Sequence, residues 1–179
     1  RTEIYKKYLE KMIADGFAYV SKEEVKEAGQ RSEVIRFKNP NKKIIFSDII
    51  LGEISFDTTD LKDFVIARSL TEPLYHLTVV IDDSEMAITH VIRGQEHIAN
   101  TPLQILIQEA IGASRPLYAH LPLILGKDRA KLSKRDPEVI SALEYRDLGY
   151  LPEALINFMA LIGWNPGGEQ EVFTLVELI

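Results

Sequence analysis

Between residues 127 and 135 the chain carries five cations, Lys127, Arg129, Lys131, Lys134 and Arg135, opposed only by Asp128. Lys131 and Lys134 stand three apart with Ser133 between them. Two ammonium groups on one short loop can neutralise the charge that grows on polyphosphate oxygens in a displacement at phosphorus, and a serine hydroxyl can add a donor. On composition alone the competing reading is stronger, because five-residue basic patterns are common in solvated surface turns. A second chemical group is Arg93, followed by Gly94, Gln95, Glu96 and His97. A guanidinium at a strand end can hold a carboxylate through two parallel hydrogen bonds. Its alternative is a structural ion pair with Asp82, Asp83 or Glu96. Tyr75 and His76 sit on an apolar run, where such residues are more often part of a core. His90, His97 and His120 lack the paired spacing of a zinc site. There is no GxxxxGK[ST] loop, no GxGxxG and no Ser-His-Asp arrangement.

These residues need elements to position them. Ile4, Tyr5, Tyr8, Leu9, Met12 and Ile13 recur at helical spacing, with Gly16 as a stop. Residues 22–28 suggest a short charged helix. Residues 34–37, 44–46, 53–56 and 64–67 are short, β-branched or aromatic, and separated by Asn39-Pro40-Asn41, Gly52 and Thr58-Thr59-Asp60. They read as one small antiparallel sheet. Residues 75–81 lean towards helix. Residues 88–92 read as a buried strand that delivers Arg93. Thr101 is suited to cap a helix with Pro102 at its first position and Gln104 closing a capping box, and Gly112 ends that helix. Residues 121–125 read as the next strand. Strand, helix, strand at this spacing is a parallel α/β unit, and ligands bind beyond the carboxyl ends of such strands. Arg93 and the basic loop are therefore expected at one edge of a sheet. Residues 139–148 and 153–162 read as two helices joined at Gly149, and the last residues as the beginning of another.

Composition bounds the rest. The 179 residues are 46% hydrophobic and 27% charged, enough for a buried core and unlike a disordered chain. No run approaches the roughly 18 apolar residues of a membrane span. The net charge of −6 argues against nucleic-acid binding on its face, but local clusters set the field that a ligand feels. The chain has no cysteine, which removes disulfides and thiolate metal sites and fits a reducing compartment. It opens on Arg1-Thr2-Glu3, with neither an initiator Met nor a signal or transit composition, and reads as cut from something longer.

Taken in order, several segments resemble one family. Lys131-Leu132-Ser133-Lys134-Arg135 resembles the Lys-Met-Ser-Lys-Ser signature of class I aminoacyl-tRNA synthetases, in the form usual for bacterial-type glutamyl enzymes. Pro73-Leu74-Tyr75-His76-Leu77, Val80-Ile81-Asp82-Asp83 and Ile88-Thr89-His90-Val91-Ile92-Arg93-Gly94 are similar to blocks of that family. So are Asn100-Thr101-Pro102 with Gln104, His120-Leu121-Pro122-Leu123-Ile124, Glu144-Tyr145-Arg146, residues 149–155 and Leu161-Ile162-Gly163-Trp164. The ordered set outweighs the surface-turn reading of the basic loop.

The resemblance implies an α/β fold: the C-terminal half of a class I synthetase Rossmann-like nucleotide fold, with part of an inserted α+β domain and the start of a helical domain. Residues 1–70 would be the inserted tRNA acceptor-binding region, 71–135 the second half of the catalytic domain, and 136–179 the start of the helical stem-contact domain. The implied activity is ATP-dependent ligation of L-glutamate to tRNA(Glu) through glutamyl-adenylate, with Mg²⁺ and without zinc. The implied setting is a cytoplasmic monomer with no membrane partner. Tyr75, His76, Val79 and Arg93 would bind glutamate. Glu96, Ile124, Lys131, Leu132, Ser133, Lys134 and Arg135 would bind ATP, with Lys131, Ser133 and Lys134 catalytic. The sequence departs from the family in several places. The His-x-Gly-His signature is absent, so this chain alone is expected to be inactive. Leu70-Thr71-Glu72 stands where many relatives have an Asp-Gly turn, Gln95 replaces an acid, and Asp136-Pro137-Glu138 replaces His-Gly-Ala. The weaker alternatives are a paralogue that glutamylates queuosine in tRNA, a glutaminyl enzyme, or a non-catalytic RNA-binding remnant.

Overall fold

The computed structural model describes residues 1–24, 32–126, 131–132 and 141–179. They divide into two compact units, Arg1–His120 and Leu121–Ile179. Among the described residues no helix is long and apolar enough to cross a membrane.

The first unit opens with α1 (Thr2–Ala14), whose helical spacing buries Leu9 and Met12. β1 (Ala18–Lys22), β2 (Glu33–Phe37), β5 (Phe64–Ser69) and β6 (Glu72–Pro73) form an antiparallel sheet in the order β1-β2-β5-β6. Ile35, Phe37, Ile66 and Ala67 are buried in it, and Phe37 stacks on Phe64 with ring centroids 5.1 Å apart. β3 (Lys43–Asp48) and β4 (Gly52–Asp57) form a hairpin. It belongs to a second sheet, ordered β4-β3-β8-β7, with β7 (His90–Gly94) and β8 (Leu117–Leu121). α2 (Tyr75–Glu85) buries Leu77, Val80 and Ile81. After β7 come a 3₁₀ helix (Gln95–Asn100) and α3 (Thr101–Ile111), which buries Ile105, Leu106 and Ile107. That crossover is the connection a parallel pair of strands needs. Gly112 closes α3 at φ +71°, where a side chain would be strained.

The four strands expected between residues 33 and 70 are present as β2 to β5, but they do not form one sheet. Asn39 gives the reason. Its buried amide donates to Thr58 O at 2.6 Å and Leu61 O at 2.8 Å, and its backbone N–H donates to Asp63 at 2.8 Å. The chain is thereby turned out of the first sheet between β2 and β3. The far end of β3 then pairs parallel with β8, Asp48 opposite Tyr118.

Other local expectations also change. Lys22 ends a strand rather than starting a helix, and residues 25–28 of that expected helix lie outside the described residues. The strand expected at 121–125 ends at Leu121, because Pro122 has no N–H to continue a ladder. The N-cap of α3 is Asn100, without a side-chain cap bond. Thr101 does not cap, because its hydroxyl is engaged by Arg93 and His97. Residues 175–178 form a turn where a further helix was expected, closed by Glu177 accepting from Thr174.

The second unit holds α4 (Ala142–Asp147) and α5 (Pro152–Leu161). Ser141 and Glu144 form a reciprocal capping box on α4. Asn157 of α5 holds the tail, donating to Glu171 O at 2.8 Å and accepting from Phe173 N–H at 2.7 Å.

Asn39→Ala is expected to lower stability by about 1–3 kcal/mol, the cost of leaving buried carbonyls unpaired. Urea unfolding followed by circular dichroism measures it, and an unchanged midpoint would show that the turn does not depend on Asn39.

Candidate functional site

β3 alternates strictly, burying Ile44, Phe46 and Asp48. The same face therefore carries two apolar residues and then a carboxylate. A charge so placed must be hydrogen-bonded, and Asp48 is. Its Oδ1 accepts from the N–H groups of Ile50 at 3.0 Å, Leu51 at 3.0 Å and His120 at 3.2 Å. Its Oδ2 faces His120 Nδ1 at 2.6 Å, with both side chains fully buried. Burial works to raise the Asp48 carboxyl. The hydrogen bonds from Leu51, the His120 imidazole, Ile50 and the His120 backbone outweigh it and hold the group below the usual carboxylate range.

His120 passes the contact on. Arg93 Nε donates to His120 Nε2 at 3.2 Å, and Arg93 Nη2 donates to Thr101 Oγ1 at 2.8 Å and to His97 O at 3.4 Å. The Arg93 guanidinium also lies 5.8 Å from the ring centroid of Tyr118, which stacks on His120 at 6.2 Å. Arg93 Nη1 has no hydrogen-bond partner among the described residues. The expected alternative, an ion pair with Asp82, is not made, because Asp82 pairs with Arg1 at 2.7 Å and accepts from Tyr5. Asp83 feels Arg93 only through space. Burial raises its carboxyl, and the Arg93 charge works against that.

The other residues expected around glutamate lie on α2. Tyr75 is half exposed at its first position, 5.5 Å from the His76 ring and 6.5 Å from the His97 ring. His76 Nδ1 is buried without a hydrogen-bond partner, and burial, followed by the Arg93 charge, lowers the imidazole below its ordinary value. Val79 is partly buried against the core. Glu96 is exposed on the 3₁₀ helix. Cavities of about 680 and 500 Å³ in this unit are lined by other residues and include none of Tyr75, His76, Val79 or Arg93. Of the first three, His76 is linked to Arg93, through the charge that Arg93 places near its imidazole.

In the second unit, Leu125 and Lys131 form an antiparallel bridge, and Leu132 N–H donates to Ile124 O at 2.9 Å. Ile124 and Leu132 are exposed. Ser133, Lys134 and Arg135 lie outside the described residues, as does Asp136-Pro137-Glu138. Sequence reasoning missed Asp48 altogether and gave His120 no role, setting it aside as a zinc ligand and quoting it only within a family block. The available signal was an acid in phase with the apolar side of an alternating strand.

Residues 21–179 match the sequence family described as tRNA synthetases class I (E and Q), catalytic domain. The chain belongs to that family. It is 44% identical over 213 aligned positions to the glutamate–tRNA ligase of Carboxydothermus hydrogenoformans, covering 100% of this chain and 44% of the relative. It is 51% identical over 153 positions to that of Desulforamulus reducens, covering 85% of this chain and 32% of the relative. The crystal structure of a glutamate tRNA ligase from Elizabethkingia meningosepticum, in complex with its amino acid, superposes with a TM-score of 0.81 at 31% identity. That match covers 99% of this chain and 47% of the other. The chain therefore spans between about a third and a half of the length of these relatives. The expected class I synthetase α/β fold is confirmed by these matches.

Because the folded Asp48 carboxyl titrates below its unfolded value, its contribution to stability is full above the ordinary carboxylate pKa and is lost as pH falls through the lowered one. Asp48→Asn is expected to reduce stability at neutral pH and to flatten this acid limb. Denaturant midpoints measured from pH 7 down to pH 3 check it, and an unchanged acid limb would refute the assignment.

Proposed function

We propose that the complete protein to which this chain belongs ligates L-glutamate to tRNA(Glu) through glutamyl-adenylate, with ATP as co-substrate. The observation that carries this reading is Arg93. It is fixed by Nε and Nη2 while Nη1 makes no hydrogen bond among the described residues, and its charge reaches His76, whose buried Nδ1 is unpartnered. The remaining Nη1 group of a pre-set guanidinium can donate a charge-assisted hydrogen bond to a carboxylate oxygen. The α-carboxylate has to attack the α-phosphorus, so this clamp fits the γ-carboxylate, and the attacking oxygen stays uncompensated. The high identity to proteins named glutamate–tRNA ligase supports the same substrate.

In the chemical step one α-carboxylate oxygen bonds to the α-phosphorus, the bond to the bridging oxygen breaks, and pyrophosphate leaves. Lys131 and Lys134 neutralise the triphosphate oxygens as this charge develops, with Ser133 donating a hydrogen bond and Leu132 and Arg135 completing the loop. Glu96 and Ile124 help to hold the nucleotide. Among the described residues no three His, Cys, Asp or Glu side chains converge on a metal position. These residues therefore offer Mg²⁺ no cage, and the triphosphate oxygens would supply its protein-independent ligands and share their charge with it. Residues 1–70 serve the tRNA acceptor end, 71–135 the chemistry and 136–179 the tRNA stem. The division at 70 separates roles rather than compact units, since β3 and β8 share a sheet. The protein acts as a monomer in the cytoplasm.

The test is glutamate-dependent ATP–pyrophosphate exchange by the complete protein in the presence of tRNA. Lys134→Ala is expected to reduce the exchange rate by about 10²-fold or more while the melting temperature is retained. Arg93→Ala is expected to raise KM for glutamate by roughly 10- to 100-fold, as for a lost hydrogen bond to a charged group. Absence of exchange with glutamate, or full activity of Lys134→Ala, would reject the function.

A further inference from the structure

We infer that Asp48 and His120 form a buried positioning relay that sets the tautomer of His120 and thereby aims Arg93 at the substrate carboxylate. The inference rests on the carboxylate-binding reading of Arg93 given above.

The geometry leaves little choice of proton positions. Asp48 Oδ1 already accepts three backbone N–H groups, which fixes the carboxylate within the β3–β4 turn. Its Oδ2, at 2.6 Å, calls for a donor at His120 Nδ1. With the proton on Nδ1, Nε2 presents a lone pair. That lone pair is what Arg93 Nε–H meets at 3.2 Å. The order is then carboxylate, neutral imidazole, guanidinium. Each contact is donor to acceptor, and the two formal charges are opposite and separated by one ring. Thr101 completes the clamp by accepting from Arg93 Nη2 at 2.8 Å, while its own hydroxyl hydrogen points to His97 O at 3.3 Å or His120 Nε2 at 3.2 Å. Nε and Nη2 are both occupied, so the guanidinium plane is set and Nη1 is left without a hydrogen bond among the described residues. Asp48 and His120 touch no substrate in this account. They act only through Arg93.

Asp48→Asn tests the relay with almost no change of volume. Its amide can donate to Nδ1, which moves the imidazole proton to Nε2, against Arg93 Nε–H. In the complete protein, this variant is expected to raise KM for glutamate about tenfold, the effect of one hydrogen bond to a charged group. KM for ATP and kcat should change little. ¹⁵N spectra of histidine-labelled protein should show His120 protonated on Nδ1 in the natural protein and on Nε2 in Asp48→Asn. His120→Phe should raise the glutamate KM similarly, and His120→Gln, whose carbonyl can accept from Arg93, should restore part of it. In an Arg93→Ala background, His120→Phe should add nothing further.

An unmoved tautomer, an unchanged glutamate KM in Asp48→Asn, or an equal effect of His120→Phe with and without Arg93 would overturn the relay. So would a parallel rise in KM for ATP, which marks general disturbance of the site. If Arg93→Ala raises the glutamate KM and Asp48→Asn does not, the carboxylate reading stands and the relay falls. If Arg93→Ala leaves that KM unchanged, the carboxylate reading falls and takes the relay with it. Should His120→Phe fail to fold, the isosteric Asp48→Asn variant and its tautomer carry the test alone.

Discussion

An ionised carboxylate with no access to water must be surrounded by donors, and in this protein that requirement falls on Asp48. Its four hydrogen bonds come from places far apart in sequence: the turn at Ile50 and Leu51, and both the backbone and the ring of His120. Satisfying one side chain therefore fixes the β3–β4 turn and attaches the hairpin to β8. Ile49 N–H donates to Tyr118 O at 2.8 Å and continues the same attachment through the backbone. Asn39 has the complementary effect at the other end of β3, where its amide directs the strand away from β2. Two buried polar side chains, together with that backbone bond, thus hold the hairpin on the second sheet, a choice to which apolar alternation is indifferent.

That attachment sets the orientation of Arg93. A long flexible side chain loses rotamer entropy when it is fixed, and it is fixed here by groups that are themselves immobile. His120 and Thr101 are fully buried, and Tyr118 is nearly so. The guanidinium consequently has two of its nitrogens engaged before any ligand arrives. Any anion that met its remaining nitrogen would then order fewer degrees of freedom. The second unit provides a different kind of preparation. The antiparallel bridge between Leu125 and Lys131 gives the Lys131 backbone a defined partner.

The sequence made legible whatever depends on local period and punctuation. α1, α2 and α3, the strands β2 to β5 and the glycine stop at Gly112 all derive from apolar spacing and turn chemistry, and the structure holds each of them. β1 escaped because Ala18–Lys22 has no apolar alternation and runs into a charged stretch that looks helical; only its pairing with β2 makes it a strand. The allocation of strands to two sheets escaped because it depends on Asn39 and Asp48, each a single polar residue whose partners are distant. Thr101 looked like a helix cap by local chemistry. A long-range partner, Arg93, claimed its hydroxyl instead. Arg93 itself was legible as a strand-end cation, but its supporting residues were not, because support is a property of burial and contact. Asp48 was the exception that could have been read, since an acid in phase with Ile44 and Phe46 announces a buried charge in need of partners.

Stability alone does not account for such a network. Replacing a buried ionic set as a whole by apolar residues of similar volume is often neutral or stabilising, whereas removing one member leaves an uncompensated charge. An apolar pair in place of Asp48 and His120 could close the same space between β3 and β8, and the backbone bond from Ile49 to Tyr118 would still join the hairpin to the sheet. What an apolar pair could not do is accept a hydrogen bond from Arg93 Nε. Without that acceptor, the guanidinium would keep only Thr101 and the long contact to His97 O, both through Nη2, and would be free to turn about that nitrogen. The feature that needs a polar core at this position is therefore the direction of one cation, and the hairpin that supplies Asp48 is coupled to that cation through His120.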